Sequence, residues 1–120
     1  MYIEQHSRYQ NKANNIQLRY DDKQFHTTVI KDVLLWIEDN LDQSILLDDV
    51  ANKAGYTKWY FQRLFKKVTG VTLASYIRAR RLTKAAVELR LTKKTILEIA
   101  LKYQFDSQQS FTRRIKYIFK

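Results

Sequence analysis

The 120-residue sequence contains no cysteine, no proline and only two glycines. The absence of cysteine excludes a disulfide framework, a thiolate zinc site and a cysteine nucleophile. Two histidines, His6 and His26, are too few for a zinc hydrolase or a Ser-His-Asp triad. No glycine-rich loop is present to cradle a phosphate, so nucleotide hydrolysis has no seat. Asp48 and Asp49 are adjacent, hence on different parts of a helix surface, and suit a helix N-terminus better than an acid/base pair. An enzyme, a metal site and a cofactor are therefore not expected. No apolar run approaches the ~18 residues of a membrane span, and no cleavable leader is visible, which points to an intracellular soluble chain. The scarcity of glycine and proline argues against a succession of tight turns and favours an all-α fold.

Hydrophobic residues make up 45% and charged residues 28% of the chain, within the globular range, so wholesale disorder is not expected. This length suits one compact domain or two very small ones. The net charge of +10 is unevenly spread: residues 1–50 carry 5 Lys/Arg against 9 Asp/Glu, and residues 51–120 carry 17 against 3. Such a bias suits a polyanionic partner, nucleic acid ahead of an anionic membrane surface.

Residues 1–26 are polar and aperiodic and read as a flexible arm. From Thr27 the pattern turns helical: Val29, Val33, Ile37 and Leu41 share a face with Ile30 and Leu34, to an end near Asn40. A second helix spans about Leu47–Ala54 and stops at Gly55. Thr57 caps a third helix, about Lys58–Val68, which Gly70 closes. A fourth runs from Thr72 to about Arg90. Thr95 opens a fifth, with Glu98 completing a capping box, and Ser107 opens a sixth that reaches about Ile118.

The third helix has two separable faces. Phe61, Leu64, Phe65 and Val68 form an apolar stripe, and Trp59, Gln62, Arg63 and Lys66 form a second stripe centred roughly 160° away. A short helix following another across a glycine turn is a helix-turn-helix. The arrangement recurs at a shift of 50: Trp59 falls on Gln109, Gln62 on Thr112, Arg63 on Arg113 and Lys66 on Lys116, while Phe61 falls on Phe111. Leu64 breaks the inward match by falling on Arg114. In the fourth helix, Leu73, Tyr76 and Ile77 lie about 180° from Leu82, Ala85, Ala86 and Leu89, as in a linker serving two cores. At ~1.5 Å per residue it is roughly 28 Å long. One turn of B-DNA is ~34 Å, so two recognition helices joined in this way suit successive major grooves.

The outer faces carry base-reading chemistry. Arg63 and Arg113 can pair with guanine O6 and N7, and Gln62, Gln108 and Gln109 with adenine N6 and N7. Trp59 can lie on thymine methyls or sugars. Lys58, Lys66, Lys67, Arg114 and Lys116 suit phosphates, as do Arg78, Arg80 and Arg81 on the linker. Tyr60 fits helix–helix packing equally well.

Two segments, Gly55-Tyr56-Thr57-Lys58-Trp59-Tyr60-Phe61-Gln62-Arg63-Leu64-Phe65-Lys66 and Phe105-Asp106-Ser107-Gln108-Gln109-Ser110-Phe111-Thr112-Arg113, resemble the AraC/XylS family of bacterial transcription regulators. Trp36-Ile37-Glu38-Asp39-Asn40-Leu41 and Tyr76-Ile77-Arg78 bring the likeness nearest to its small stand-alone members. Coverage is about residues 28–120. The resemblance implies two helix-turn-helix subdomains that bind adjacent major grooves of an asymmetric promoter site as a monomer, and contact with RNA polymerase to activate transcription. It implies base readers at Trp59, Gln62 and Arg63, then at Gln108, Gln109, Ser110 and Arg113, and a phosphate contact at Arg78. The expected organisation is an arm at 1–26, a first subdomain at 27–71, a linker helix at 72–91 and a second subdomain at 92–120. No small-molecule effector and no membrane are expected, and the place of action is the bacterial cytoplasm, at the nucleoid. Three departures stand out: Tyr60 replaces a His of the small members, Gln104 replaces a glycine that ends the fifth helix, and the family's terminal helix with its Pro and Tyr-Arg pair is missing. Ile115 also replaces the usual Phe. The alternatives are a truncated DNA-binding fragment that does not activate, and a basic helical adaptor for an acidic protein or membrane surface.

Overall fold

The computed structural model describes residues 19–118, with side chains from Lys23 to Tyr117. The described residues form six helices and no strand: α1 (Arg19–Asp39), α2 (Leu47–Ala54), α3 (Lys58–Thr69), α4 (Leu73–Leu91), α5 (Ile96–Lys102) and α6 (Gln108–Ile118). The all-α expectation holds. Of the expected arm, residues 1–18 lie outside the described residues. Residues 19–26 are helical, so α1 is under way well before Thr27. Their sequence lacks apolar periodicity, and what engages them is distant in the chain: His26 Nδ1 lies 2.6 Å from the Tyr56 hydroxyl.

The chain divides into two compact units, one of residues up to Asp39 with Ile45–Leu73, the other of Asn40–Ser44 with Ala74 onward. In the first, α1 buries Val29, Ile30, Val33 and Ile37, α2 buries Val50, Ala51 and Ala54, and α3 buries Phe61, Leu64 and Phe65. Truncating a buried Phe such as Phe61 or Phe65 to Ala typically costs about 3–5 kcal/mol. Val68, expected on the inward stripe, is 37% exposed, because it lies in the last turn of α3 where the core ends.

Local chemistry fixes the turn between α2 and α3. Gly55 takes the left-handed conformation (φ 85°) that a Cβ would disfavour, and Tyr56 N–H donates to Ala51 O at 3.0 Å. Thr57 then caps α3, its Oγ1 accepting from Tyr60 N–H at 3.2 Å. Gly70 (φ 86°) ends the helix.

In the second unit, Leu82 and Ala85 of α4, Ile99 and Ala100 of α5, Tyr103 and Phe111 are buried. The Phe105 and Phe111 rings lie 4.9 Å apart. The capping box at Thr95 is complete: Thr95 N–H donates to Glu98 Oε2 at 3.2 Å, and Glu98 N–H to Thr95 Oγ1 at 3.1 Å. The α5–α6 turn has no glycine, and Gln104 itself adopts φ 66°. Its side chain offsets part of that strain by donating to Asp42 O at 3.1 Å.

Candidate nucleic-acid interface

The cap and glycines around α3 turn its second stripe outward. Trp59 is 70% exposed, and Lys58, Gln62, Arg63 and Lys66 are exposed with it, on the helix that buries Phe61 and Phe65 completely. An indole exposed to that extent has little part in the core. Lys58 Nζ sits 5.8 Å from the Trp59 ring centre and 3.8 Å from Asp48 Oδ1, so the first turn of α2 holds one of the expected phosphate contacts near the indole. Asp48 thus has a structural partner, in keeping with its expected place at a helix N-terminus.

On α6 the corresponding face is also open. Gln108, Gln109, Arg113, Arg114 and Lys116 are exposed, while Ser110 is half-buried with its N–H donating to Ser107 Oγ at 3.1 Å. Ser110, Arg113 and Arg114 come together around a groove of about 330 Å³, lined also by Leu82 and Tyr117. The inward side of α6 is thinner than that of α3: Phe111 is fully buried, Ile115 only half-buried, and Arg114 stands exposed where α3 has buried Leu64.

Of the linker cations, Arg78 is exposed and Arg80 half-buried. Arg81 departs from the expectation of a phosphate contact. Its Nε donates to Leu41 O at 3.0 Å and its Nη2 to Gln43 O at 2.7 Å. Burial lowers its pKa from the ordinary guanidinium value, and it ties the 40–44 loop to α4. A guanidinium forked onto two carbonyls is a structural brace. No local signal in Arg78-Ala79-Arg80-Arg81 distinguishes the brace from its neighbours.

Sequence reasoning also missed the partners of Glu88, the one acidic residue of α4. Lys102 Nζ donates to its Oε1 at 2.6 Å and the Tyr103 hydroxyl at 2.5 Å, with Lys94 Nζ 3.7 Å from Oε2. The Lys102 and Tyr103 hydrogen bonds hold the Glu88 carboxyl below the usual carboxylate range, against the opposing effect of burial. Among the described residues no group of three or more His, Cys, Asp and Glu is placed to hold a metal, and no helix is long and apolar enough to cross a membrane.

Residues 50–120 match the family described as "Helix-turn-helix domain". The chain is 96% identical, over its whole length and 87% of the relative's, to the transposon Tn10 TetD protein of Escherichia coli. A solved structure of a transcriptional regulator from Chromobacterium violaceum, one of the AraC-type DNA-binding domain-containing proteins, superposes with a TM-score of 0.69 at 28% identity, covering 75% of this chain and 80% of that one. The chain belongs to the AraC/XylS family. A further family member, the HTH-type transcriptional activator AarP of Providencia stuartii, is 50% identical over 105 residues, 86% of this chain and 78% of AarP. Gln104 takes the left-handed conformation of the α5–α6 turn with a residue that carries a Cβ.

Proposed function

We propose that this chain is a sequence-specific DNA-binding transcriptional activator acting as a monomer. Its helix-turn-helix subdomains, 27–71 and 92–120, enter adjacent major grooves of a promoter site, with 72–91 as the linker helix. One observation carries the reading: α3 leaves Trp59 70% exposed beside exposed Gln62 and Arg63, while its opposite side is sealed around Phe61 and Phe65. A cationic, amide-bearing and aromatic face on a recognition helix matches the donor and acceptor pattern of a major groove.

In this reading Trp59, Gln62 and Arg63 read bases in one groove, and Gln108, Gln109, Ser110 and Arg113 in the next. Lys58, Lys66, Arg78, Arg114 and Lys116 meet phosphates, while Arg81 is reserved for its internal brace. Activation proceeds through contact with RNA polymerase in the bacterial cytoplasm, at the nucleoid; the description of AarP as a transcriptional activator supports this part.

Enrichment of bound duplexes from a random pool tests the reading. A two-box consensus is expected; recovery of unrelated sequences overturns it. On the recovered site Arg63→Ala should cost about 1–3 kcal/mol and relax choice at one base pair. An equal loss on every duplex makes Arg63 a phosphate contact. Transcription by purified RNA polymerase from a promoter bearing that site should rise with added protein; no rise refutes activation.

A further inference from the structure

A groove of about 860 Å³ in the first unit runs between the early turns of α1 and one edge of α3. Lys23, His26 and Thr27 line it from α1, at the i, i+3, i+4 spacing of a single helix row. Tyr60, Arg63, Leu64, Lys67 and Val68 line it from α3, again one row. The floor is aromatic and aliphatic. The rim carries three cations and no carboxylate, and Lys23, Arg63 and Lys67 make no ion pair among the described residues. One wall is braced: His26 Nδ1 is 2.6 Å from the Tyr56 hydroxyl and Nε2 is 3.4 Å from that of Tyr60.

Arg63 belongs to both this groove and the outward stripe of α3, so the two surfaces are continuous. An α-helix with its side chains is ~10–12 Å across, and the major groove of B-DNA is ~12 Å wide. A helix lying in that groove fills it, and its edge rows face the sugar-phosphate walls. We propose that the α1–α3 groove seats the sugar-phosphate strand bordering the base-reading face of α3, with Lys23 and Lys67 on its phosphates and the Tyr60, Leu64 and Val68 floor against its sugars. The inference rests on the DNA-binding reading above. It extends the interface to the start of α1, outside the helix-turn-helix.

The test uses the full chain, with Lys23→Gln, Lys67→Gln and, as a control, Lys31→Gln, which removes an exposed cation of α1 that does not line the groove. Affinities are measured on the enriched duplex and on a scrambled duplex of equal length, from ~50 to ~200 mM salt, the range over which phosphate contacts show themselves. Each groove variant should bind about fivefold more weakly near 0.15 M salt, equally on both duplexes, with the salt slope reduced by about 1. Lys31→Gln should change neither. Unchanged affinity and slope for the groove variants, a loss confined to the enriched duplex, or an equal loss for Lys31→Gln overturns the proposal. If the unmutated chain does not distinguish the duplexes, the sequence-specific reading falls, while the slopes of the variants still decide whether the groove seats phosphates.

Discussion

Replacing Gln104 with Gly and with Ala isolates the strain stored in the α5–α6 turn. Gln104 holds φ 66° and its side chain donates to Asp42 O at 3.1 Å. Both substitutions remove that hydrogen bond, so its loss cancels between them. What remains is the left-handed backbone, which costs a residue with a Cβ about 1–2 kcal/mol. The greater freedom of Gly in the unfolded chain offsets about 0.4–1 kcal/mol of this. Gln104→Gly should therefore be more stable than Gln104→Ala by about 1 kcal/mol. The unmutated chain should lie between them, because it keeps a solvent-facing hydrogen bond near the low end of ~0.5–1.5 kcal/mol. Urea unfolding followed by far-UV circular dichroism gives the order, and amide exchange around Ile99–Phe105 shows whether the effect is local. An Ala variant as stable as the Gly variant refutes the reasoning, since it means the turn does not need the left-handed region.

Glu88→Gln should destabilise the second unit by about 1 kcal/mol at neutral pH, because the Lys102 and Tyr103 donors then face a neutral amide. The folded carboxyl lies below its ordinary value of 4.5. Its contribution is thus complete above that value and fades as pH falls through the folded pKa, so the gap between the two proteins should close in acid; a gap constant down to pH ~3 contradicts the linkage. Residues 95–118 should exchange their amides faster than α1–α3, because α6 fully buries Phe111 alone among its described side chains; equal protection of both units rules this out. Thr57→Ala should cost about 1 kcal/mol through loss of the α3 cap, read as a lower urea midpoint, and an unchanged midpoint would mean that solvent replaces the cap.

The legible parts of the fold were those encoded within one or two turns of chain. Gly55 and Gly70 mark stops because a left-handed residue is cheapest without a Cβ, and Thr57, Thr95 and Glu98 mark starts because their side chains reach the orphan amides of their own helix. The two faces of α3 followed from counting at 100° per residue. Residues 19–26 were misread because Arg19-Tyr20-Asp21-Asp22-Lys23-Gln24-Phe25-His26 shows no helical period. Its anchor, His26 on Tyr56 and Tyr60, is 30 and 34 positions away. The Arg81 brace and the Glu88 cluster were hidden for the same reason: a charged side chain in a sequence does not announce whether it faces water, a carbonyl or an opposite charge. Of the site, the outward direction of Trp59, Gln62 and Arg63 was readable, and the flanking groove was not, since two of its lining residues, Lys23 and His26, lie on a segment that looked unstructured.

The two tryptophans of the chain sit in unlike surroundings. Trp36 is half-buried with Lys53 Nζ 4.9 Å from its ring centre, whereas Trp59 lies largely open to water. The intrinsic emission is therefore the sum of a shielded lamp and an open one, and a quencher such as iodide separates them. Covering the open one by any binding partner would dim or shift its signal while the other stays as an internal reference, so the molecule reports occupancy of that face without an added dye.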